Sequence, residues 1–157
     1  MANEDLEISF RGRVKNGAES SGRHSVSRDG DGELQEPCGV ALEGDRVYVA
    51  DTDNHRVVVL GTDGAFVSSF GSKGSGNGEL KEPEGLVVSG GLVYVADRTN
   101  HRVVVFDLQG AFVRSFGSQG GGDGEFEDPS DVAVVGESVY VVDSRNKRIV
   151  QWNLEGG

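Results

Sequence analysis

The sequence predicts an all-β fold, built as β-propeller blades of four antiparallel strands with three blades per chain. Three observations predict it: a 46-residue unit used three times, four strand-like runs in each unit, and turns rich in glycine and Asx residues. The spacing of 46 links Pro37, Pro83 and Pro129, then Tyr48, Tyr94 and Tyr140, then Gly64, Gly110 and Gly156. In the first unit the runs are Gly39 to Leu42, Arg46 to Ala50, Arg56 to Leu60 and Ala65 to Phe70. Glu43-Gly44-Asp45, Asp51-Thr52-Asp53-Asn54 and Thr62-Asp63-Gly64 supply the turns between them. The middle two runs are apolar on both faces, as in Val47-Tyr48-Val49-Ala50, so each sheet is expected to lie between copies of itself. Radial stacking of four-stranded units satisfies that demand.

The repeat divides the chain into an N-terminal segment (1–36), a first blade (37–82), a second (83–128) and a third (129–157) that lacks an outer strand. Leu6 to Phe10 resembles a lone outer strand, comparable to Phe66 to Phe70. The stretch from Arg11 to Arg28 is polar and has no core pattern, which suggests an extended loop. Closed propellers have about four to eight blades, so three leave two apolar blade faces without a neighbour. With strand four first and strand three last, the expectation is a strand-exchanged homodimer, each copy forming half of a six-bladed ring. The rival is a fragment, or one component of an assembly that supplies the other blades.

Composition narrows the function classes. A net charge of −11 weighs against binding to nucleic acid or to anionic membranes. Apolar runs such as Val57-Val58-Val59-Leu60 are too short to span a bilayer, and residues 1–10 lack the features of a signal peptide. The single Cys38 excludes an intramolecular disulfide framework. The default expectation is a cytoplasmic location.

Two segments carry a family resemblance. Val49-Ala50-Asp51-Thr52-Asp53-Asn54-His55-Arg56-Val57 and Val95-Ala96-Asp97-Arg98-Thr99-Asn100-His101-Arg102-Val103 are followed by Gly-x-Phe-Val-x-x-Phe-Gly stretches at 64–71 and 110–117. They resemble the NHL repeat, and the likeness extends from Pro37 to the C-terminus. The third copy, Asp143-Ser144-Arg145-Asn146-Lys147-Arg148, has lysine in place of histidine. The resemblance implies a six-bladed propeller. It also implies a recognition role, since NHL repeats often serve as protein-binding domains.

The recurring set Asp51, Asn54, His55, Arg56; Asp97, Asn100, His101, Arg102; and Asp143, Asn146, Arg148 is the most recognisable constellation. Aspartate and asparagine can bond nearby amides, and the arginine can pair with the aspartate or with the neighbouring blade. Recurrence in every blade favours a structural motif over a unique active site. His55 and His101 raise the question of zinc, because some NHL-like propellers are metal-dependent lyases. Zinc needs three or four convergent ligands, whereas equivalent turns of adjacent blades diverge. The expected innermost strands, Val40-Ala41-Leu42, Leu86-Val87-Val88 and Val132-Ala133-Val134, offer no ligand. No cofactor and no catalytic residue is therefore expected.

Gly74-Ser75-Gly76-Asn77-Gly78 lacks the helix and Lys-Ser/Thr of a phosphate loop and reads as a flexible interblade connection. Asp29-Gly30-Asp31-Gly32-Glu33 lacks the spacing of a calcium loop. Cys38 aligns with Glu84 and Ser130 as a wall residue, and Trp152 aligns with Leu60 and Phe106 as blade packing. The turns after the second strands grow more basic (Arg98, then Arg145 and Lys147), whereas the interblade loops are acidic, with Glu84 and Asp131 among them. These five residues form the candidate binding face. The function expected is a non-enzymatic, protein-binding scaffold. A metal-dependent lyase or lactonase-like enzyme is the first alternative, and an RNA-binding domain the second.

Overall fold

The computed structural model describes residues 32–154, so the strand expected at 6–10 and the polar loop after it lie outside the described residues. The first blade holds β1 (Pro37–Glu43), β2 (Arg46–Asp51), β3 (Arg56–Gly61) and β4 (Phe66–Phe70), hydrogen-bonded in that order and antiparallel throughout. The second holds β5 (Pro83–Ser89), β6 (Leu92–Asp97), β7 (Arg102–Asp107) and β8 (Phe112–Phe116) in the same arrangement. Two short strands, β9 (Ser118–Gln119) and β10 (Glu125–Phe126), pair in parallel within the second interblade loop. A single Lys73–Leu80 bridge stands at the equivalent place in the first such loop. The third blade holds β11 (Pro129–Val135), β12 (Ser138–Asp143) and β13 (Arg148–Asn153), also in sequence order.

Local chemistry explains these elements. Valine and tyrosine fill β2, β6 and β12, whose side chains alternate between the two faces of each blade. The first hairpin of each blade turns on Gly44, Gly90 or Gly136, at φ 56°, 59° and 58°, where a side chain would be strained. The second turn is a single 3-10 turn in blades one and two, ending at His55 and His101 with φ 56° and 55°. Lys147 takes the same left-handed position in blade three, at φ 53°.

The core lies in the seams between blades. Tyr48, Ala50, Val57 and Val59 of blade one meet Leu86, Val93, Val95, Val104 and Phe106 of blade two. Tyr94, Val103 and Val105 on the other face of blade two meet Val132, Val139 and Val141 of blade three. Leu80 and Phe126, both without solvent exposure, plug the two seams from the interblade loops. Aromatic contacts run across at the outer radius, Phe70 to Phe106 with centroids at 4.9 Å and Phe116 stacked on Trp152 at 4.7 Å.

Burial on both faces, expected of every blade, holds for the middle strands of blades one and two but not for blade three. There β13 alternates between intermediate and exposed, and Tyr140 and Ile149 are exposed. No further blade overlies that flank among the described residues, so positions buried as Val57 and Val103 elsewhere open to solvent as Ile149.

Candidate functional site

Each repeat motif is a buried carboxylate caged by its own turn. Asp51, Asp97 and Asp143 have no solvent exposure. The register pairs each with an arginine on the next strand: Asp51 with Arg56, Asp97 with Arg102 and Asp143 with Arg148. In blade two, Asp97 Oδ2 accepts from Asn100 Nδ2 and Arg102 Nε, both at 2.8 Å, and Oδ1 accepts from the Lys81 amide at 2.7 Å. Asp143 repeats the set with Asn146 at 2.8 Å, Arg148 at 3.0 Å and the Glu127 amide at 2.9 Å. Asp51 repeats it with Asn54 at 3.0 Å, Arg56 at 2.8 Å and the Gln35 amide at 2.6 Å.

The arginines reach past their aspartates into the glycine-rich loops. Arg102 Nη1 and Nη2 donate to the carbonyls of Ser75, Gly76 and Glu79 at 2.8–3.0 Å. Arg148 donates likewise to Gly121, Gly122 and Glu125. Within each loop a glutamate accepts from a glycine amide, Glu79 from Gly76 at 2.7 Å and Glu125 from Gly122 at 2.8 Å. The reading of these loops as flexible connections is thereby corrected. They are arches clamped by a guanidinium fork, whose planar donors suit several carbonyls at once.

Histidine at the turn tip braces the next blade. His55 Nδ1 accepts the Glu82 amide at 3.1 Å, whereas His101 Nδ1 lies 2.6 Å from the Glu127 carbonyl and donates to it. The two rings therefore use Nδ1 in opposite senses, one accepting and one donating. Lys147, at the same tip, is exposed.

The charged face is more closely paired than separate acidic and basic zones would be. Arg98 lies 3.0 Å from Glu84 and 3.7 Å from Asp128, and Arg145 lies 3.5 Å from Asp128 and 4.0 Å from Glu127. Arg145 nevertheless remains 68% exposed. Asp131 caps the Val132 amide at 2.9 Å. At the inner radius Cys38, Glu84, Ser130 and Asp131 line a groove of ≈ 440 Å3. The Ser130 and Ser144 hydroxyls share a short 2.5 Å bond beside it. Among the described residues no three His, Cys, Asp or Glu side chains are grouped to hold a metal ion.

The same cage has two electrostatic settings. Burial between blades pushes the Asp97 carboxyl above its ordinary value, against the bonds from Asn100, Arg102 and the Lys81 amide. For Asp143 burial acts in the same direction but is outweighed by Asn146, the Glu127 amide, Arg148 and the Asp128 amide, so its carboxyl is held low. The difference follows from the open flank of blade three, which leaves Asp143 a thinner apolar surround.

Two kinds of position escaped the sequence reading. Leu34, Leu80 and Phe126 share the 46-residue spacing; Leu80 and Phe126 plug the seams and Leu34 packs on the outer flank of blade one, a signal present in the repeat but hidden among glycines and charges. Gly39 and Gly85 are the other kind. A Cβ on Gly39 would collide with the Glu84 carbonyl, and one on Gly85 would stand 2.6 Å from Asp131 Cα.

With this geometry established, the relatives of the chain can be compared. A family model described as NHL repeat matches residues 34–60, and one described as 6-bladed beta-propeller matches residues 79–157. The chain belongs to the 6-bladed beta-propeller family. Among solved structures it is similar to a Bacteroides fragilis protein at 19% identity and TM-score 0.60, covering 80% of this chain and 37% of that one. Glutaminyl cyclase of Myxococcus xanthus is similar at 15% identity and TM-score 0.55, covering 73% and 47%. BamB of Moraxella catarrhalis is similar at 17% identity and TM-score 0.54, covering 75% and 32%. At these identities the likeness is one of fold. The chain spans under half the length of each of these three chains. No curated protein sequence matches it.

Proposed function

We propose that this propeller is a non-enzymatic interaction module that presents its motif-turn face to a protein partner. The observation that carries the reading is how the motif side chains are used. Aspartate, asparagine and arginine of all three cages are engaged in bracing the blades, while Arg145 and Lys147 project from the same turns into solvent. Such a face suits an acidic protein surface, which those cations would orient. A second copy is proposed to supply the other three blades of the six-bladed ring.

Tagged parent chain and an R145E/K147E variant, each used to capture partners from the native source, test the face. A protein retained by the parent and lost from the variant supports it. Equal recovery by both, or no recovery by either, overturns it.

A further inference from the structure

Blade one has a seam face with no described blade in front of it, and the centre of that face is nevertheless closed. We propose that residues 1–31 of the same chain lie across its two middle strands and take the place of a preceding blade there.

The register defines the face. Val47, Val49, Val58 and Leu60 stand one repeat before Val93, Val95, Val104 and Phe106. In blade two those positions pack with Tyr48, Ala50, Val57 and Val59 of blade one, and Leu80 belongs to the same cluster. In blade one no described strand stands opposite, and Leu34 is the partly buried side chain packed on the cluster. Yet all four residues are buried within the single chain, the most open of them, Val49, at 7%. One leucine does not close four aliphatic side chains on two strands, since a buried residue typically touches about 6–12 others. The chain that leads into Leu34, residues 1–31, is what remains to cover them. Glu155, Gly156 and Gly157, also outside the described residues, carry no apolar side chain.

The footprint separates this occupant from a second copy. Val40 lies directly across from Val49, Leu42 from Val47 and Phe66 from Leu60, so all three share the face, and all three are exposed. A whole blade closes the inner strand as well: Leu86 is 6% exposed, against 66% for its equivalent Val40. The cover on blade one is therefore about as wide as β2 and β3 and stops short of both β1 and β4. Four strands of a second copy would extend over those edges, whereas a short segment does not.

The segment has suitable chemistry and a fixed point of departure. Leu6, Ile8 and Phe10 alternate with Glu7 and Ser9, so an extended path turns three apolar side chains to one side. The Gln35 amide donates to Asp51 Oδ1 at 2.6 Å, and Arg56 Nη2 donates to the Glu33 carbonyl at 2.7 Å, which pins the chain to blade one beside Leu34. Stacked repeats need a cap on an end that would otherwise open apolar surface to water. Here the cap is supplied in cis, and a second copy reaches β2 and β3 only by displacing it.

A nitroxide spin label on S9C, in a C38S background of the full chain, tests this through Ile, Leu and Val methyl signals in NMR. With both labels on one chain, the signals of Val47, Val49, Val58 and Leu60 are expected to be lost, while Ile149 on the opposite flank keeps its own. Equal loss at Ile149, or no loss at the four, overturns the cap. Spin-labelled chains are then mixed with isotope-labelled chains that lack the nitroxide. Loss of the four signals in that mixture assigns the cover to a second copy and also overturns the cap in cis. Adding L6D/I8D/F10D to the doubly labelled chain should restore the four signals, with Val95 and Val104 reporting that the seam between blades one and two is kept. Signals still lost in that variant would overturn the role given to the three apolar side chains.

Discussion

Asp97 and Asp143 accept nearly the same bonds yet are displaced in opposite directions, which makes the cage a local gauge of blade packing. For Asp97 the folded state disfavours ionisation. It therefore subtracts stability as pH rises from the ordinary carboxylate range through its raised value. For Asp143 the folded state favours ionisation. Its contribution is present above the ordinary range and is lost as pH falls through its lowered value. Carboxyl titration by NMR should find Asp97 above Asp143, and the reverse order would refute the assignment of burial as the cause. The arginines offer a second test. R102A leaves a fully buried carboxylate without its cation and should cost about 3–5 kcal/mol in urea unfolding. R148A should cost less, because Arg148 is 31% exposed against 12% for Arg102. The Asp–Arg spacing of five was legible in the sequence. The reach of Arg102 to carbonyls 23–27 residues away was not, because it depends on the path of a loop that carries no periodic pattern.

At the scale of elements, strands were easy to read and the pieces that join blades were not. Alternation and β-branched runs placed the four strands of blade one to within about two residues, the usual uncertainty of boundaries. The seam plugs lie in polar, glycine-rich loops that look like spacers in one dimension. Leu80 nonetheless stands among the fully buried side chains and belongs to the cluster that joins blades one and two. L80A should therefore destabilise the chain by about 2–5 kcal/mol, with the loss measured as a lower unfolding midpoint. L34A should cost clearly less, because Leu34 is only partly buried on the blade-one flank. Equal losses would mean that the plugs act through their own loops and not through the seams.

For the whole molecule, the repeat implied two apolar blade faces without a neighbour, but in the structure only blade three has exposed middle strands, those of blade one being buried. Val57, Val103 and Ile149 occupy one register position, and the first two have no exposure while Ile149 is 68% exposed. An aliphatic side chain kept at an uncovered position is understandable if a second copy covers it. In that case stability includes association and must depend on chain concentration. The melting temperature of the parent should rise as concentration is raised, by mass action on the docked form. I149K separates this from an intrinsic effect. In a lone chain the exposed position tolerates lysine within about 0.5 kcal/mol, so the dilute melting temperature should barely move. If a second copy covers the position, the same lysine would lose water without a partner charge, and the concentration dependence should vanish. A parent whose melting temperature is flat across concentration would instead mean that Ile149 of this chain is not covered by a second copy.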